Sequence, residues 1–118
     1  MQQDWICVRF YRPAQKEIRT WPTEVKKDLG SILTKLQKRQ RVGWPDVDSV
    51  RTIGAGCAEI RISSQEGIYR CFFILETEFG ILVFHSFKKK TQQTPESEKQ
   101  IARKRLNTFL LELQSEKK

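Results

Sequence analysis

Three apolar runs joined by two very short links constrain this chain most. The runs are "CAEIRI" (57–62), "IYRCFFILE" (68–76) and "ILVFHSF" (81–87), and the links are "SSQEG" and "TEFG". Parallel neighbours need a crossover of a dozen or more residues, so links this short predict an antiparallel meander. In the first run Ala58, Ile60 and Ile62 take one face, and Glu59 and Arg61 take the other. The second run is almost continuously apolar, which predicts a central strand covered on both faces. Arg70 interrupts it.

The flanks supply further elements. "WICVRFY" (5–11) alternates Ile6, Val8 and Phe10 with Cys7 and Arg9 and predicts a first strand. Pro13 opens a short charged turn. Val25, Leu29, Ile32, Leu33 and Leu36 then fall on one helical stripe, which predicts a long helix stopped by Gly43 and Pro45. Its other face carries Lys26, Lys27, Lys35, Lys38, Arg39 and Arg41. The pair of glycines in "GAG" (54–56) predicts a tight turn into the next strand. Thr94 can cap a last helix with Pro95 at its first position, and Glu96 and Glu98 suit the positive end of its dipole. Ile101, Ala102, Leu106, Phe109, Leu110 and Leu113 form its apolar stripe. The expected architecture is α+β: strand, helix, three or four antiparallel strands, helix. The chain reads as one domain over residues 1–118.

A length of 118 residues suits one modest core, and 22 Lys+Arg against 14 Asp+Glu leave a formal charge of +8. That excess calls for an acidic partner. The apolar runs are strand-sized, so no membrane span is expected, and the start lacks the pattern of a secretory signal. A cytoplasmic protein follows. Cys7, Cys57 and Cys71 are widely spaced and His85 is the one histidine. No metal-ligand spacing emerges, and no metal or cofactor is expected. The cysteines read as small apolar fillers.

Charges inside apolar strands need a reason, because burying them unpaired is costly. If the strands pair through "SSQEG", Arg61 and Arg70 become neighbours. Lys88, Lys89 and Lys90 emerge where the next strand ends, with Tyr69 and His85 close by. Either Glu59 pairs with one arginine and the lysines are simply solvated, or the cations form one patch for an anion. For the group the second reading is preferred, since like charges repel unless an anion joins them. Phosphate fits: arginine grips it through parallel N–H bonds, lysine as a point charge. Nothing predicts base-specific reading, for there is no helix-turn-helix, zinc-finger or RNP pattern.

"EIRI" (59–62), "GIYRCFFIL" (67–75) and "GILVFHSFKKKTQQTPESEKQIARKRL" (80–106) resemble the RelE/ParE toxin superfamily. The resemblance is strongest to its phage-derived HigB-like (Tad-like) branch. His85, Phe87, Lys89, Lys90, Thr91, Thr94, Pro95, Ala102 and Arg105 stand in that branch's pattern. It implies a RelE-like fold, an antiparallel sheet of four to five strands with helices on one face and a basic cleft on the other. It implies a toxin of a type II toxin–antitoxin pair, a metal-independent endoribonuclease that cuts mRNA, often on the ribosome, through 2′-OH attack. Relatives named for ParE instead poison DNA gyrase, and a basic nucleic-acid-binding domain without catalysis is a further alternative. By motif, Arg70 would clamp phosphate, Arg61 would stabilise the pentacoordinate state, and Lys88 or Lys89 would move protons. Glu59, Tyr69, His85, Lys90, Lys38 and Arg39 would contact RNA. The implied partners are mRNA and a cognate helix-turn-helix antitoxin, through which alone operator DNA is bound.

Overall fold

The computed structural model describes residues 5–89 and 95–117. The expected meander forms β3 (Cys57–Ser64), β4 (Gly67–Thr77) and β5 (Gly80–Lys89), each antiparallel to the next. Two short strands flank it, β1 (Val8–Phe10) and β2 (Val47–Ser49), giving the five-stranded order β1-β5-β4-β3-β2. The sheet is mixed rather than wholly antiparallel, because β1 pairs parallel to β5 with Val8 opposite Ile81. This pairing is possible because the chain between β1 and the meander contains two helices, which serve as the crossover. Gly80 lets β1 come close: its φ is +94°, and a Cβ there would collide with the Cys7 carbonyl. The "GAG" stretch is a tight turn, as expected: Cys57 N–H donates to Gly54 O, and Gly56 takes a φ of +81°.

Helix α1 (Arg12–Arg19) occupies the region read as a turn. Pro13 sits in its first turn, where the missing N–H costs nothing. Only Ala14 and Ile18 are buried on it, too few positions to reveal a period. Helix α2 (Thr23–Gln37) carries the expected stripe but ends well before Gly43. Arg39 adopts a left-handed φ of 64°, Gln40 N–H donates to Lys35 O and Arg39 N–H to Leu36 O. This is a Schellman cap with arginine in the place glycine usually takes. Lys38 is therefore the C-cap, and Arg39 and Arg41 lie beyond the helix. Helix α3 (Glu96–Glu116) begins just after Pro95, which is its N-cap residue rather than its first helical one. The proposed Thr94 cap lies outside the described residues.

Helices cover both faces of the sheet, not one. On one face α1 and α2 bury Ile18, Val25, Leu29, Ile32, Leu33 and Leu36 against Ile60, Ile62, Cys71, Phe73 and Val83. On the other, α3 packs Ala102, Leu106, Phe109 and Leu113 against Phe72, Leu82 and Phe84. Each fully buried Val, Leu, Ile or Phe among these contributes about 1.5–3 kcal/mol. Ile101, expected in the stripe, is exposed. Cys57 and Cys71 fill opposite layers of the core, and burial raises the Cys57 thiol to about 11 and drives Cys71 up as well. Cys7 is exposed and is no filler. No helix among the described residues is long and apolar enough to cross a membrane.

Candidate functional site

Strand register brings the two arginines together. The turn between β3 and β4 places Arg61 directly opposite Arg70, and Glu59 opposite Phe72. All three charged side chains point to the α3 side of the sheet, since Glu59 and Arg61 alternate with Ile60 and Ile62, and Arg70 with Tyr69 and Cys71. Glu59 is the anion between the cations. Its Oε1 accepts from Arg61 Nη1 at 2.6 Å and from Arg70 Nη1 at 3.0 Å. The carboxylate thus pairs with both arginines, not one. Glu59 and Arg70 are buried and Arg61 is partly so: side-chain exposure is 9% for Arg61, 3% for Glu59 and 0% for Arg70. Burial pushes the Arg70 guanidinium below its ordinary range, the Glu59 carboxylate opposes that shift, and Arg61 adds to it. Two guanidiniums on one carboxylate leave a net positive charge at this end of the sheet.

A bulge decides which lysine joins them. Phe72 pairs with His85, whereas Phe73 pairs with Val83, so β5 carries one extra residue at Phe84. Val83 therefore faces α1 and α2, while Phe84, His85 and Phe87 all face the α3 side. Past the bulge the parity is reversed. Ser86 Oγ donates to Ala14 O of α1 at 2.7 Å, and Lys88 lies 5.5 Å over the Tyr69 ring on the same side. Lys88 also pairs with Glu66 at 3.4 Å. Lys89, two residues on from Phe87, alternates to the face of Arg61 and Arg70. Among the described residues no ion pair engages it.

The expected cluster is therefore divided. Arg61, Arg70, Glu59 and Lys89 share one face, and Lys88 and Tyr69 occupy the other. Tyr69 is buried with its ring edge-on to Trp21, 5.0 Å between centroids. Lys38 and Arg39 are not part of the cluster. Lys38 covers the Trp5 ring at 4.9 Å, and Arg39 lines an apolar groove with Ala58, Phe73 and Leu75. Lys90 lies outside the described residues.

His85 is held on both sides by α3. Its Nε2 is 2.7 Å from Glu98 Oε1, and its Nδ1 is 2.9 Å from Arg105 Nη1. Arginine can only donate, so Nδ1 must be the acceptor and Nε2 must carry the proton to Glu98. The ring is thus neutral. Burial lowers its pKa, the Glu98 hydrogen bond opposes this, and the Arg105 charge lowers it further. Arg105 and Glu98, absent from the residues singled out as a site, line an open groove of about 660 Å³ with Lys16, Thr20 and Lys88. The signal for them was the spacing of the last helix, which puts Glu98, Ala102 and Arg105 along one side.

Neutral His85 makes a checkable pH effect. Below its ordinary value of 6.5 the unfolded chain takes up a proton that the folded chain refuses. The stability this group contributes is complete above 6.5 and is lost as pH falls toward the depressed folded value. The one histidine resonance set should keep its Nε2–H tautomer pattern in nitrogen NMR as pH drops through 6.5, while the melting temperature declines. In His85→Gln that part of the decline should vanish. An imidazole titrating at its ordinary value would contradict the geometry.

Comparisons with known proteins agree with this architecture. A free-state mutant of E. coli toxin RelE superposes with a TM-score of 0.56 at 21% identity, over 71% of this chain and 83% of that one. The RelBE2 toxin–antitoxin complex from Mycobacterium tuberculosis contains a chain with a TM-score of 0.51 at 15% identity, over 72% of this chain and 99% of that one. The fold is RelE-like. No curated protein matches the chain in sequence. The model of the family described as "Phage derived protein Gp49-like" matches residues 16–107, from within α1 to within α3 and across all the site residues on β3, β4 and β5. The chain belongs to the Gp49-like family of phage-derived proteins.

Proposed function

We propose that the chain is the toxin of a type II toxin–antitoxin pair of the HigB-like kind, a single domain acting in the cytoplasm as a metal-independent endoribonuclease on mRNA. The observation that carries this reading is the cross-strand pair Arg61–Arg70, aligned by Glu59 on the sheet face that Lys89 joins. Likeness to a toxin named RelE and to a chain of a toxin–antitoxin complex supports it.

In the proposed reaction the ribose 2′-oxygen attacks the adjacent phosphorus and the bond to O5′ breaks. The 2′-OH gives up a proton and O5′ gains one, leaving a 2′,3′-cyclic phosphate and a 5′-OH. Negative charge grows on the phosphorane oxygens, so donors fixed beforehand at that place lower the barrier most. Arg61, the more accessible of the two arginines, meets that charge. Arg70 sits behind it and, with Glu59, holds it in orientation. We assign the proton transfer to Lys89, because the bulge turns Lys88 to the other face. Lys88, Lys38 and Arg39 contact flanking phosphates or the ribosome, which positions the message without reacting. His85 acts through Arg105, whose guanidinium it orients. A cognate helix-turn-helix antitoxin neutralises the toxin by covering the basic face and carries the pair to operator DNA.

Expression in growing cells, with mRNA 5′ ends mapped, tests this. New ends inside translated messages are expected. Intact messages with gyrase-linked DNA breaks would replace the reading with a ParE-like one. Arg61→Ala should slow cleavage by roughly 100-fold or more, with the chain still folded because Glu59 keeps Arg70 as partner. Undiminished cleavage by Arg61→Ala would remove the site.

A further inference from the structure

The edge of the sheet next to Arg61 carries a large apolar side chain in water. Trp44 is 69% exposed. Indoles are seldom left so open, because burying one removes a large apolar area from solvent. Its position is defined, not incidental. Arg61 N–H donates to Asp46 O at 2.8 Å, extending the ladder in which Val47 of β2 opposes Ile60 of β3. Trp44 lies two residues before Asp46, just past Arg61 along that edge. The Arg61 guanidinium carbon is 5.2 Å from the Trp44 ring centroid. One face of the indole is thus matched to the cation by a cation–π contact, which leaves the ring's exposed surface to solvent.

The charges around it narrow what this surface can take. Asp46 and Asp48 are exposed on the same edge, and Asp48 stands opposite Glu59. These carboxylates repel a phosphate. The edge therefore offers an aromatic plane beside carboxylates, while cations lie inward at Arg61 and Lys89. A strand of RNA whose phosphate reaches Arg61 places the adjoining base within one nucleotide of the indole. Bases stack on such rings with little dependence on sequence, because every base has a π-face.

We propose that Trp44 is a nucleobase platform: a base of single-stranded RNA next to the scissile phosphate stacks on the indole, with Arg61 against the ring on the protein side. This rests on the ribonuclease reading above and names how its substrate is held. It explains why Trp44 and Arg61 are packed together next to Asp46 and Asp48. Stacking of this kind selects unpaired RNA, because a paired base is already stacked in its helix.

The test uses the full chain and a single-stranded 2′-O-methyl oligoribonucleotide, which binds but lacks the attacking hydroxyl. Affinity is read by fluorescence anisotropy over a range of salt. Trp44→Ala and Trp44→Leu should bind about 5- to 100-fold more weakly, and Trp44→Tyr should stay near the parent. The slope of affinity against salt should not change, since no phosphate contact is removed. Thermal melting verifies that the exposed substitutions leave the fold intact. Wild-type affinity in Trp44→Ala, or equal binding by Trp44→Leu and Trp44→Tyr, overturns the platform alone. A reduced salt slope also overturns it, since the indole would then act by placing Arg61 on a phosphate. Unchanged RNA affinity with weakened binding of a protein partner reassigns the surface to that partner and overturns it too. A parent chain that binds no RNA at all brings down the ribonuclease reading together with the platform.

Discussion

Arg70→Ala is expected to lower folding stability by about 3 kcal/mol or more, because it removes one of two guanidiniums from a buried carboxylate. Arg70 has no exposed side-chain surface, and Glu59 has 3%. The substitution removes the Arg70 hydrogen bond from Glu59, leaves the Arg61 one, and opens a large cavity in the centre of the sheet. Urea denaturation would measure the loss as a lower midpoint at constant slope. The double variant Glu59→Leu/Arg70→Met should recover much of that stability, since apolar residues of similar volume often replace buried ion pairs without loss. It should remain inactive under the ribonuclease reading. A fully stable Arg70→Ala would mean that water reaches this site freely. Loss of toxicity in Arg70→Ala alone therefore does not separate chemistry from folding, and Arg61→Ala is the cleaner probe.

Phe72→Ala should destabilise the chain by about 3–5 kcal/mol, the range for truncating a buried aromatic. Phe72 is fully buried on the central strand, with Phe84, His85 and Phe87 rings 6.3, 5.7 and 5.5 Å away. It stands between Glu59 on one neighbouring strand and His85 on the other. Its ring thus supports both the arginine trio and the histidine that meets α3. Phe72→Leu should cost less, since it retains most of the volume. The same denaturation curves distinguish the two, and an Ala variant within 1 kcal/mol of the parent would show that the layer collapses to refill the space.

Much of this was readable from residue order. The "SSQEG" link sets a register in which Arg61 must oppose Arg70, because the two positions are equidistant from the turn. The last helix was legible because its stripe is long and its acidic first turn is marked. Helix α1 was hidden because eight residues with two buried positions do not define a period. The end of α2 is not legible in sequence because its cap uses Arg39 rather than glycine, and the left-handed φ of an arginine leaves no mark there. β2 is three residues long and was not separable from the surrounding loop.

The charged pattern of "EIRI", "YRC" and "FKKK" determined by itself that cations would collect at one end of a meander, since neighbouring strands and short turns are local matters. It also favoured an anion among them. Only the tertiary structure decided that this anion is the chain's own Glu59, that Lys89 and not Lys88 stands with the arginines, and that β1 runs parallel to β5. Two physical reasons lie behind the last two of these. A single extra residue at Phe84 reverses which side every later side chain faces, and pairings between distant segments depend on packing across the whole sheet, which adjacent residues do not encode.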